Sequence, residues 1–263
     1  MTSRTCVVKI GGEVATDAAS VGVLFDAVSA LGRRVRVVLV HGGGALATTI
    51  AARFGQEPKI VAGRRVTSDT DLQAILWSVC GEINTRLVSN AGARGINAVG
   101  LTGADAHLVQ ATRRPRQTID QAEVDFGNVG DIVAVDATVL EILLRHDLLP
   151  IVATLGASRD GHLLNINADT VACRIAAATS AELILVTPSG GVYRSFPDKR
   201  SLFEHFSAKD LEEGVTQGWI SGGMRVKLDE AFRALRDGVT TIRICDVHGI
   251  ASGSGTIIRQ TNS

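Results

Sequence analysis

The sequence predicts an α/β protein in which helices cover a mainly parallel, open sheet. Three observations carry that expectation. Short, unbroken apolar runs alternate with helical segments from residue 6 to residue 245. The runs are continuous rather than alternating in polarity, as strands buried on both faces must be. The first two, at 6–10 and 35–40, each end in glycines and lead into helical spacing. A strand, a glycine turn and a helix, repeated, is the pattern of parallel strands joined by crossovers.

The elements follow in order. Gly11 and Gly12 close the first run, and residues 18–31 place Val21, Leu24, Val28 and Leu31 at helical spacing. The β-branched run 35–40 ends at His41-Gly42-Gly43-Gly44, and residues 45–54 read as a helix. Residues 68–90 give the longest helical stretch, with Leu72, Ile75, Leu76, Val79, Ile83 and Leu87 on one face. A strand is expected at 98–101, then short antiparallel strands between 106 and 135, with a turn at Phe126-Gly127-Asn128. A helix at 137–145, a strand at 149–153, a hairpin edge at 161–164 and a helix at 169–179 come next. The strand 183–186 ends at Thr187-Pro188-Ser189-Gly190-Gly191; helices at 209–217 and 224–236 and a strand at 241–245 complete the pattern. No linker or composition break interrupts it, so one continuous domain is expected, with two lobes on a shared sheet.

Composition excludes several classes. Of 263 residues, 45% are hydrophobic and 21% charged, which is incompatible with a disordered chain. Basic and acidic residues balance at 27 each, so net charge gives no argument for nucleic acid or an anionic membrane. No run approaches the ~18 apolar residues of a membrane span, and the first strand begins too early for a signal peptide. Cys6, Cys80, Cys173 and Cys245 are widely spaced without a CxxC pair, which points to free thiols in the cytoplasm and away from a zinc site.

The chemistry is sought first by elimination. The sequence has no GxxxxGK[ST], no GxSxG and no HExxH. Gly42-x-Gly44-x-x-Ala47 matches the dinucleotide pattern only weakly, and it is not the first strand–helix turn. His41 reads as a structural residue at a strand end rather than a base.

Lysine is scarce: only Lys9, Lys59, Lys199, Lys209 and Lys227 occur, against 22 arginines. Lys9 lies inside an apolar strand beside Gly11-Gly12, and Lys227 follows Gly222-Gly223 where a helix begins. A lysine among apolar residues is costly without an anionic partner. Ligands of open α/β sheets bind beyond the carboxyl ends of the strands, where both glycine loops lie. Glycine allows close backbone approach, and helix N-termini favour anions, so the loops make an anion cradle. In Asn165-Ile166-Asn167-Ala168-Asp169 the two asparagines point the same way if the chain is extended. Asp169 either caps the following helix or holds the two lysines. In Gly63-Arg64-Arg65-Val66-Thr67, an arginine ahead of a helix start suits a two-pronged clamp on a carboxylate, or else lies on the surface.

Lys9-Ile-Gly-Gly, His41-Gly-Gly-Gly, Gly63-Arg-Arg-Val-Thr, Asn165-Ile-Asn-Ala-Asp169 and Gly223-Met-Arg-Val-Lys227 occur in this order. Together they resemble the motifs of the amino acid kinase family, over residues 5–259. The likeness is strongest to members that act on N-acetyl-L-glutamate. The Asn-x-Asn-Ala-Asp and Gly-x-Arg-Val-Thr blocks set the chain apart from aspartate, uridylate and carbamate kinases.

The resemblance implies a three-layer αβα sandwich of the carbamate kinase-like type. It implies ATP-dependent phosphorylation of the side-chain carboxylate of N-acetyl-L-glutamate, in arginine synthesis, with Mg²⁺ carried by the ATP phosphates. Under it, Lys9 and Lys227 stabilise the transferring phosphoryl group and Asp169 orients them. Gly11, Gly12, Gly43 and Gly44 donate backbone N–H groups, and Arg65, Asn165 and Asn167 hold the substrate. Thr187, Ser189, Gly190, Gly191, Val192, Tyr193, Gly222, Gly223 and Met224 contact the nucleotide. A lobe of about residues 1–170 takes the acyl amino acid and one of about 171–263 takes ATP. Neither nucleic acid nor membrane is implied as a partner. Arginine-inhibited hexameric relatives carry an extra N-terminal helix, so an arginine-insensitive homodimer is expected.

One loop departs from the pattern. Relatives usually read Ser/Thr-Asp-Val-x-Gly where this chain has Thr187-Pro188-Ser189-Gly190-Gly191, and Pro188 supplies neither a carboxylate nor an N–H. Two other functions share the glycine loops. One is a kinase for carrier-protein-bound aminoadipate or glutamate, for which Arg64, Arg65, Arg113, Arg114 and Arg116 offer a basic surface. The other is a non-catalytic amino acid or nucleotide sensor, for which Pro188 is the argument.

Overall fold

The apolar runs pair side by side into one sheet, and their alternating side chains fill a core on each face. The computed structural model describes residues 4–61, 64–119 and 121–260. Its eight-stranded sheet has the order His205–Phe206, Thr256–Ile258, Ile242–Cys245, Glu182–Val186, Thr5–Ile10, Arg36–His41, Leu149–Ala153, Ala98–Thr102. From Ile242–Cys245 to Ala98–Thr102 the strands are parallel. Thr256–Ile258 turns back antiparallel and carries His205–Phe206 alongside it. This is the expected mainly parallel α/β architecture.

Alternation along the first strand shows how the layers form. Val7 packs with Val171, Ile175, Leu228 and Ala231, from the helices Ala168–Ala178 and Gly222–Arg236. Cys6, Val8 and Ile10 point the other way, toward Leu24, Phe25 and Leu87 of Ala18–Gly32 and Asn84–Gly92. Lys9 therefore shares the side of Val7 and faces the first pair of helices.

A smaller sheet branches off beside the cleft. Leu163–Asn165, Leu155–Ala157, Val109–Arg113 and Gly130–Val135 pair in that order. At Phe126-Gly127-Asn128, where a turn is expected, the backbone instead bridges to Thr67, which donates to Phe126 O and accepts from Asn128 N, with Gly127 at φ +67, a value glycine adopts without a steric cost. The expected edge at 161–164 is a hairpin whose strand begins at Leu163.

The expected single helix at 68–90 is a correction. It comprises Asp69–Ile75, a wider π-helical segment Leu76–Ile83 and Asn84–Gly92. Ile75 and Val79 pack on Ala47 and Leu155, whereas Ile83 and Leu87 pack under Ile151 and Val8. The wider turns redirect the apolar face from one cluster to the other. Short elements without periodicity were not foreseen, among them Gly12–Thr16, His205–Phe206 and Thr256–Ile258.

Candidate active site

Strand order reverses on either side of Thr5–Ile10: the chain moves to Arg36–His41 on one side and later fills Glu182–Val186 on the other. Such a switch point opens a crevice beyond the carboxyl ends of the strands. Lys9, the penultimate residue of its strand, projects there.

Lys9, Asp169 and Lys227 converge in that crevice, and each is only 8% exposed. Lys9 Nζ lies 2.9 Å from Asp169 Oδ1. Lys227 Nζ donates to both carboxylate oxygens, at 2.9 and 2.8 Å. Burial alone pushes the Asp169 carboxyl up, but the two ammonium groups outweigh it and hold it below the usual carboxylate range. Burial pushes the Lys227 ammonium down; Asp169 opposes that shift and Lys9 adds to it. The trio carries one net positive charge in a site sheltered from water, where a charge acts over a longer range than in solvent.

The two glycine loops lie against one another. Gly11 precedes the helix Gly12–Thr16, and Gly43 precedes Gly44–Arg53. A Cβ on Gly12 would lie 3.0 Å from Gly43 Cα, so any larger residue would force the second loop to give by a few tenths of an ångström. Lys9, Gly11, Gly12, Gly44, Val186, Thr187, Pro188 and Lys227 line a cleft of about 340 Å³. Pro188 thus faces the cleft without a donor.

His41 is structural, as the sequence implies. It is fully buried, its Nδ1 lies 3.1 Å from Gly42 O, and its Nε2 lies 3.0 Å from Asn84 Nδ2. Because Gly42 O can only accept and Asn84 Nδ2 only donate, the ring is the neutral Nδ1–H tautomer. Burial pushes its pKa down to about 4.

A second cavity of about 580 Å³ opens beside the first, lined by Arg65, Arg114, Asn165, Asn167, Arg174 and Glu230, among others. Arg65, in the lining of this cavity, approaches Gly44 O, in the lining of the first, at 3.4 Å. Arg65 also donates to Thr48 Oγ1 and pairs with Asp71 at 3.5 Å. Asn165 Nδ2 donates to the fully buried Thr67 Oγ1 at 3.0 Å. Gly63 lies outside the described residues.

Several expected residues carry structural roles in the fold. Asn167, expected to bind substrate, lines the second cavity and also caps the helix: its Oδ1 accepts from Asp169 N at 2.8 Å and from Thr170 N at 3.3 Å. That capping leaves the Asp169 carboxylate free for the lysines. Val192, expected at the nucleotide, is fully buried in the core, and its N–H donates to Thr256 Oγ1 at 2.9 Å. Gly191 is packed so tightly that a Cβ would meet Thr256 Oγ1 at 2.8 Å. Ser189 turns its hydroxyl onto Gly191 O at 2.9 Å, and Gly190 takes the turn at φ +78. Tyr193 is half-buried, with its ring edge-on to Phe196 at 5.5 Å. Thr187 alone of this loop's expected residues lines the cleft. Gly222, Gly223 and Met224 form the first turn of the helix that carries Lys227, with Met224 packed on the core.

Three of the arginines read as a carrier-docking surface are matched by acids. Arg113 pairs with Asp125 at 3.2 Å, Arg114 with Asp131 at 2.6 Å, and Arg116 with Glu123 at 3.7 Å. Sequence reasoning passed over Thr48, Asp71 and Asn84. Of these, only Asp71 left a local signal, the capping spacing Ser68-x-x-Asp71.

The sequence model of the amino acid kinase family matches residues 4–246. The acetylglutamate kinase of Methanopyrus kandleri is 40% identical over 255 residues, covering 96% of this chain and 99% of that one. That of Bacteroides thetaiotaomicron is 37% identical over 264 residues, covering 99% and 100%. The solved structure of smu.665 from Streptococcus mutans superposes with a TM-score of 0.82 at 27% identity, covering 98% of this chain and 99% of that one.

Proposed function

The chain belongs to the amino acid kinase family, and from that premise we propose that it transfers the γ-phosphoryl group of ATP to the side-chain carboxylate of N-acetyl-L-glutamate, in arginine synthesis. The observation that carries this reading is the buried Lys9–Asp169–Lys227 trio beside two abutting glycine loops.

The acceptor is ionised at neutral pH, so no general base is needed, and none is offered by the neutral, structurally committed His41. A carboxylate oxygen attacks the γ-phosphorus, the bond to the bridging β–γ oxygen breaks, and acyl phosphate and ADP leave. The barrier is the meeting of two anions, which fixed positive charge and positioning lower. Lys9 and Lys227 present ammonium groups whose direction Asp169 sets. The N–H groups at the start of Gly44–Arg53 face the same space. Mg²⁺ carried by the ATP phosphates would supply further charge neutralisation there; among the described residues no acidic or histidine cluster is shaped to hold a metal.

Arg65 and Asn165, in the wider cavity, are read as holding the substrate's other carboxylate and its amide region. The lobe of about residues 1–170 then serves the acyl amino acid and that of about 171–263 the nucleotide, with Lys9 at the seam. Neither alternative is favoured: the matched relatives are acetylglutamate kinases, and the arginines near residue 114 are paired. Exposed Phe54 and Trp77, with ring centroids 5.4 Å apart, support a homodimer through this face; a Trp77→Glu variant that sediments like the parent would count against it. No helix among the described residues is long and apolar enough to cross a membrane, and the four free cysteines suit the reducing cytoplasm.

The test is product trapping. The purified chain with ATP and N-acetyl-L-glutamate, in hydroxylamine, is expected to yield the hydroxamate of the acyl phosphate. Turnover with N-acetylaminoadipate and not with N-acetylglutamate, or no hydroxamate at all, would overturn the reading.

A further inference from the structure

Asp71 is a buried carboxylate that the transfer itself does not use. It is 5% exposed and sits in the first turn of Asp69–Ile75. Its Oδ2 completes the helix cap, accepting from Ser68 N at 3.0 Å and Ser68 Oγ at 2.6 Å. Its Oδ1 has no hydrogen-bond partner among the described residues and faces Arg65 Nη1 at 3.5 Å. The cap needs only one carboxylate oxygen, so the other is free to act on the guanidinium. Thr48 Oγ1 meets Arg65 from the other side, at Nη2, and donates in turn to Gly44 O at 2.8 Å.

The two terminal nitrogens of Arg65 are thus held from two different helices, and the plane of the guanidinium is fixed. Two-pronged recognition of a carboxylate depends on that plane. Resting on the reading of Arg65 as the substrate clamp, we propose that Asp71 is a positioning residue: with Thr48 it presets the Arg65 guanidinium for the acyl amino acid and ties it to the second glycine loop.

The substitution Asp71→Asn keeps an oxygen for the cap and removes the charge facing Arg65. KM for N-acetylglutamate is expected to rise about five- to tenfold, the scale of one charge-assisted contact. Both kcat and KM for ATP stay within about twofold, because the interaction serves ground-state and transition-state binding equally. Asp71→Glu recovers part of the loss. Thr48→Val, which releases the opposite nitrogen, shifts KM in the same direction. In an Arg65→Ala background, Asp71→Asn adds nothing. An unchanged or lowered KM in Asp71→Asn, or effects that multiply in the double variant, overturns the positioning role alone. An unchanged KM in Arg65→Ala instead removes the clamp reading and the proposal with it.

Discussion

Replacing Asp169 by asparagine removes the one negative charge between two buried ammonium groups and changes little else in volume. The lysine nitrogens lie 2.9 and 2.8 Å from its oxygens. At such distances each attraction is about 6 kcal/mol for an effective dielectric near 20. Desolvation cancels much of this, and breaking a buried pair costs about 3–5 kcal/mol. In a chain of 263 residues, each kcal/mol moves the melting midpoint by about 2–4 °C. Asp169→Asn is therefore expected to melt about 10 °C lower, measured by calorimetry at neutral pH. Because the folded carboxyl titrates below 3.8, the parent's advantage is full above that value and disappears as pH falls through the lower folded pKa. Turnover in the hydroxamate assay should drop at least about a hundredfold, since the lysines lose their orientation. Adding Lys227→Met restores the net charge, so the double variant should regain melting temperature without regaining activity. An Asp169→Asn protein with unchanged melting and turnover within about threefold would refute this account of the trio.

Further expectations concern the same machinery. Lys9→Ala and Lys227→Ala should each lower kcat about a hundredfold or more with a smaller change in KM, read in steady-state assays. Buried His41, neutral in the fold with a pKa of about 4 against an ordinary 6.5, destabilises the protein as pH falls between those values. The unfolded chain binds the proton first, and the full loss is about 3 kcal/mol; urea midpoints at pH 7 and 5 should reveal it, and a pH-independent midpoint would contradict it. Gly12→Ala places a Cβ 3.0 Å from Gly43 Cα and must push the loops apart. It should cost about 1–3 kcal/mol and depress kcat; parental values for both would show that the abutment is unimportant.

Much of the architecture is written locally. Unbroken runs such as 35–40 can be satisfied only by strands buried on both faces, and the glycines after them mark the carboxyl ends where ligands gather. Lys9 was conspicuous because a charge in an apolar strand demands a partner. What the chain could not announce is which partner. Asn167 and Asp169 are both residue types that favour a helix cap, and only the observed start at Ala168 makes Asn167 the cap and puts Asp169 in the first turn. The loop after Val186 likewise carries no local sign that Val192 turns into the core while Thr187 faces the cleft.

Local propensity, apolar period and glycine placement, each a matter of a few neighbouring residues, determined the layers and the end of the sheet that carries the site. The meeting of residues 9, 169 and 227, the tether of Arg65 by Thr48 and Asp71, and the π-helical turns at Leu76–Ile83 were decided only when distant segments packed. The physical reason is that a side chain's partner and protonation depend on which surfaces exclude water around it, and those surfaces come from elements far apart in the chain.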